Sequence, residues 1–151
     1  MDGPSAQALR ELGGDPTGHV ARWLTESMVT DADMVLTATT AHRDHVLRMA
    51  PAALRRTFTM REFARLAGSP PDAGHPSDAG SPSAAGSPVD LQLQAIAVIA
   101  DRRGLVDPGP PGGDDIGDPF GASVVAARDV AHQIEQAVLI TARVLQISQP
   151  A

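Results

Sequence analysis

The chain contains no cysteine and no tyrosine. Without thiols it has no disulfide, no thiolate metal ligand and no sulfur nucleophile. Trp occurs once and Phe three times, so aromatics reach only 3% and the core has to be built from Leu, Val, Ile, Ala and Met. Positive charge is also scarce, with 12 basic against 18 acidic side chains and a formal net charge of -6. That balance disfavours a nucleic-acid backbone or an anionic membrane surface as partner, since both repel net negative charge. No apolar run approaches the ~18 residues of a membrane span. Met1-Asp2-Gly3-Pro4-Ser5 lacks the basic stretch and apolar run of a secretory signal. A cytoplasmic protein is expected.

Hydrophobic residues make up 42% of 151, which suits one domain. Pro4 to Leu12 has apolar residues at helical spacing, and Gly13-Gly14 stops it. A second short helix or irregular turn is expected over His19 to Met28, with Val20, Trp23 and Leu24 on one side. Asp33 to Thr39 is a short apolar run bounded by polar residues, the pattern of a buried parallel strand. A helix over Ala41 to Met49 follows, closed by Pro51. Arg56 to Thr59 reads as a second strand. Thr59 and Glu62 then have capping-box spacing, with Phe58 and Phe63 where a hydrophobic staple sits, so a helix starts at Met60. Two strand-to-helix transitions in succession predict an α/β layered domain with parallel strands.

The pattern breaks at Gly68 to Val89. Asp72-Ala-Gly-His-Pro-Ser77 is nearly repeated as Asp78-Ala-Gly-Ser-Pro-Ser83, and a partial third copy ends at Pro88. Little apolar area is available here to offset ordering entropy, so a disordered surface insertion is expected. Beyond it, Leu91 to Arg103 predicts a helix with Leu91, Ala95, Val98 and Ile99 on its buried face. The last helix is predicted over Ser123 to Gln146, with Val130, Ile134, Ala137, Val138, Thr141, Val144 and Leu145 forming one buried stripe. The chain thus divides into residues 1–67, an insertion at 68–89, and residues 90–147.

Chemistry-bearing patterns are few. His42 and His45 stand at i, i+3, but no carboxylate or third His completes a ligand set, and no metal or cofactor is expected. Gly109 to Asp115 is Gly-rich yet acidic, the wrong sign for a phosphate cradle, and no nucleotide-binding fingerprint occurs. What stands out is Asp115-Ile-Gly-Asp118-Pro119-Phe120-Gly121 just ahead of the last helix.

That segment resembles the general-acid loop of low-molecular-weight protein tyrosine phosphatases, an Asp immediately before Pro. Other stretches agree in order: Pro4 to Gly13, His19 to Thr25, Ala32 to Thr37 with His42-Arg43 after it, and Phe58 to Leu66. The resemblance spans about 1–67 and 114–147. It implies a three-layer parallel sheet with helices on both faces, and an activity toward phosphotyrosine in proteins. It also implies that Asp118 is the general acid, with Asp114 and Asp115 as bystanders. The family opens with a strand and a Cys-x5-Arg phosphate loop, which supply the attacking thiolate and the oxyanion-binding backbone. Neither occurs here, so the sheet is expected to lack the family's first two strands and the chain to be inactive alone.

Such a remainder would leave Met34, Val35, Leu36, Ile134 and Val138 incompletely covered and one sheet edge exposed, inviting self-association. A non-catalytic interaction protein or a degenerate fragment is the alternative. An arsenate reductase on the same scaffold fits less well, because it needs several thiols.

Overall fold

The computed structural model describes residues 1–68 and 87–146. These form six helices, α1 (Gly3–Glu11), α2 (Glu26–Thr30), α3 (Thr40–Met49), α4 (Met60–Gly68), α5 (Pro88–Asp101) and α6 (Val124–Val144). Two short strands, β1 (Val35–Thr37) and β2 (Thr57–Thr59), and a 3-10 helix over Pro51–Arg56 complete the described elements. The architecture is mixed α/β, mostly helical, with a small parallel sheet packed against helices. The strands pair in register Val35 with Thr57, Leu36 with Phe58 and Thr37 with Thr59. No helix among the described residues is long and apolar enough to cross a membrane.

The element boundaries follow local chemistry. Asp2 caps α1 by accepting from the Ser5 backbone N–H at 3.3 Å, and Pro4 lies in the first turn. β1 is shorter than the predicted 33–39 because Thr39 serves the next helix, accepting from the His42 N–H at 3.1 Å. α3 closes at Ala50, where Pro51 forbids continuation. The predicted capping box is present in both directions. The Glu62 N–H donates to Thr59 Oγ1 at 3.0 Å, and the Thr59 N–H donates to Glu62 Oε2 at 3.2 Å. The Phe58 and Phe63 rings meet edge to face with centroids 5.2 Å apart.

Two apolar clusters flank the sheet. Phe58, Phe63, Leu66, Ile96, Ile99, Ala100 and Leu145 form the larger, with Met34 and Leu36 packed against it. Val29, Val46, Ala50 and Ala53 form the smaller, with Val35 packed against it. Alternate residues of β1 therefore enter different clusters, as the two-residue period of a strand requires. The side chains expected to be incompletely covered are so: Met34, Val35, Leu36 and Ile134 are half-buried, and Val138 is 47% exposed.

Of the two forms expected over His19 to Met28, the structure has irregular chain over 19–25, with Val20, Trp23 and Leu24 all exposed and Trp23 at 95%. The helix begins only after Thr25, which accepts from the Met28 N–H at 3.3 Å, and Val29 is the side chain that reaches the core. Two expectations for the following helices need correction. α5 starts at Pro88 rather than Leu91, because Ser87 and Asp90 form a capping box of their own. Its buried face holds Ile96, Ile99 and Ala100, whereas Val98 is 49% exposed. The helix is apolar nearly all round, so the sequence period does not select a face; packing on α4 and on the 3-10 helix selects it.

α6 likewise buries Ala127, Ala137 and Thr141, small side chains that let α1 and α4 approach closely. The repeat expected to be a disordered insertion lies outside the described residues except at its ends. There Gly68 closes α4 and Ser87 to Val89 open α5.

Candidate acid-loop site

The loop from Asp107 to Ala122 joins the end of α5 to α6 and crosses the carboxyl ends of both strands. Three hydrogen bonds place it there. The Ile116 N–H donates to the Ala38 carbonyl at 2.8 Å, just past β1. The Thr59 hydroxyl, at the end of β2, donates to the Asp114 carbonyl at 2.8 Å. The Asp115 carboxylate accepts from the Thr40 N–H at 2.7 Å, in the first turn of α3. An anion at that position also meets the positive end of the helix dipole. Ile116 is buried between these anchors and acts as the loop's apolar plug.

A fourth anchor comes from α4. Arg65 forms a two-toothed contact with Asp114, Nε to Oδ1 at 3.1 Å and Nη2 to Oδ2 at 2.6 Å, and its Nη1 reaches the Asp107 carbonyl at 2.8 Å. The Asp114 carboxylate raises the Arg65 pKa above its ordinary value, which keeps the guanidinium charged. Asp114 and Asp115 are therefore anchors of the loop rather than bystanders. Their partners lie 49 and 75 residues away in sequence, so no local pattern announces them.

Asp118 stands beyond the anchors. It is exposed, and its Oδ1 accepts from the Phe120 N–H at 3.0 Å, an Asx turn closed around Pro119. Phe120 is 79% exposed, and Gly121 takes φ of 71° to turn the chain toward the Ser123 cap of α6.

His42 and His45 both lie exposed on α3. Among the described residues no three His, Asp or Glu side chains gather into a group able to hold a metal ion. A groove of about 230 Å³ runs between α4, α6 and the loop, lined by Arg61, Arg65, Asp114 and Gln133 among others. Asp118 does not line it. Its two cations are engaged, Arg61 Nη1 with Gln133 Oε1 at 3.1 Å and Arg65 with Asp114. Compared with known proteins, the chain matches no family model, no curated protein and no solved structure.

Proposed function

We propose that the chain carries the acid-loop half of a low-molecular-weight tyrosine phosphatase-like domain, a cytoplasmic scaffold whose sheet continues past β1 in the complete family architecture. In this reading Asp118 protonates the departing phenolate of a phosphotyrosine protein and then serves as base toward water. These 151 residues contain no thiol to attack phosphorus. The chain alone is therefore expected to leave p-nitrophenyl phosphate untouched.

The observation that carries the reading is the placement of the loop. Asp115 and Ile116 pin it to the carboxyl end of β1 and the first turn of α3, and exposed Asp118 follows two residues after Ile116, which supports a role at that end of the sheet. The Asx turn at Asp118 and Pro119 gives the carboxylate a fixed local geometry.

A chimera tests it. The strand, Cys-x5-Arg loop, helix and strand of a low-molecular-weight phosphatase are fused ahead of Met1. The expected product hydrolyses p-nitrophenyl phosphate with vanadate sensitivity, and Asp118→Asn lowers kcat by about 10²-fold or more. A folded, soluble chimera without turnover, or with turnover indifferent to Asp118→Asn, overturns the reading.

A further inference from the structure

Among the described residues β1 packs on both faces and has a strand partner along one edge only. Met34 and Leu36 enter the larger cluster, and Val35 enters the smaller one on the opposite face. All three nonetheless remain half-buried rather than buried. β2, by contrast, is buried throughout. Its far side is closed by Arg103, which donates to the Thr57 carbonyl, and by the Thr59–Glu62 capping box. Among the described residues β1 has β2 alone as hydrogen-bonded neighbour. A strand covered on both faces is the kind that normally lies inside a sheet. Its unpaired backbone groups form a template for one more strand.

Charge selects the occupant. Exposed Asp31 and Asp33 precede β1. Exposed Asp118 follows at its far end, two residues past Ile116, whose N–H is bonded to Ala38. The edge without a described strand partner is thus apolar in the middle and acidic at both ends. Two copies paired edge to edge in antiparallel fashion would bring the acids preceding one β1 toward the acids following the other, which opposes self-association, as does the net charge of -6.

We propose that β1 is a docking edge for an extended segment of a partner protein, a short run of β-branched residues with basic residues on both sides. The segment adds as a third strand: main-chain hydrogen bonds fasten it to β1, and its flanking cations meet the two acidic ends. The inference stands on the strand geometry and not on the phosphatase reading.

The test uses the chain as it is. Fluorescence-labelled peptides with a central Val-Ile-Val run, flanked by Arg in one version and by Glu in the other, are titrated with the protein while anisotropy is read. The Arg-flanked peptide is expected to bind at least tenfold more tightly, less so at high salt, and to slow hydrogen exchange of the amides at 34–37. Asp33→Asn, an exposed change that leaves the fold alone, should weaken it about two- to fivefold. Absence of binding, equal binding of both peptides, or protection elsewhere than at β1 overturns the proposal. So does a dimer of the free chain that the Arg-flanked peptide fails to dissociate.

Discussion

Removing the Glu62 carboxylate probes the buried charge network between α3, α4 and the end of α5. Glu62 is 5% exposed and sits between two guanidinium groups, with Arg43 Nη1 at 2.9 Å and Arg103 Nε at 2.8 Å. It also accepts from the Thr59 N–H. The two arginines are not equivalent. Arg103 donates further to the Leu54 carbonyl at 2.7 Å and to the Thr57 carbonyl, and its guanidinium lies 4.1 Å above the Phe58 ring centroid. Arg43 contributes one hydrogen bond to the network, and its Nε, 4.0 Å from Asp44 Oδ1, is buried without a hydrogen-bond partner.

Taking away one member of a buried pair typically costs about 3–5 kcal/mol, because the opposite charge is stranded. Here the stranded arginines are 25–27% exposed and partly rehydrate, so the lower end, about 3 kcal/mol, is expected for Glu62→Ala, lost cap included. Arg103→Met should cost about 2–3 kcal/mol, since the carbonyl of buried Thr57 loses this donor and buried Glu62 one of its two cations. Arg43→Met should cost no more than about 1 kcal/mol, because the lost ion pair is offset by removing an unsatisfied buried N–H. With a urea slope near ~2 kcal/mol/M, Glu62→Ala moves the midpoint down by about 1.5 M. Urea titration followed by circular dichroism at the helical band reads all three. The reasoning fails if Arg43→Met costs as much as Arg103→Met. It also fails if Glu62→Ala shifts the midpoint by less than about 0.5 M at an unchanged slope.

Other consequences are direct. Phe63→Ala should cost about 3–5 kcal/mol by emptying the centre of the larger cluster, read as the same midpoint shift. Glu11 has its carboxyl drawn down from 4.5 to about 2, first by hydrogen bonding to Arg128 and then by Gln7. Because the folded pKa lies below the unfolded one, its contribution to docking α1 on α6 is complete above pH 4.5 and disappears as pH falls toward 2. Carboxyl chemical shifts of Glu11, followed in the native chain and in Arg128→Met, check this, with the midpoint expected to rise in the variant. Trp23, the only Trp, should emit like free indole and be quenched fully by iodide, and Trp23→Ala should leave the urea midpoint within error. A blue-shifted, protected emission would show that the 19–25 segment packs on something.

What could be read from the sequence, and what could not, divides by the range of the interaction that decides it. The start of α4 was legible to the residue, because Thr59, Glu62, Phe58 and Phe63 settle it within six positions. The parallel pairing was legible because each strand is a short β-prone run feeding a helix. The start of α5 carried the same kind of signal in Ser87 and Asp90, but a Gly/Ser/Pro repeat ending on Pro88 masked it. The buried faces of α5 and α6 were legible in part: Ile99 on α5 and Ala137, Thr141 and Leu145 on α6 are buried where their spacing puts them, while Val98 and Val138 look like core in the sequence and are exposed.

At the candidate site the split is sharper. Asp118 was visible through its Pro119 neighbour, while the residues that hold its loop in place were invisible. Arg65 and Thr40 acquire their roles only once β1, β2 and α4 have brought distant chain together. Neither anchor touches the exposed carboxylate, yet both determine where it stands, so the site is a property of the sheet's carboxyl edge and not of the Asp-Pro pair alone. Any sequence pattern confined to the loop therefore selects the group that could act and leaves undetermined the geometry in which it would act.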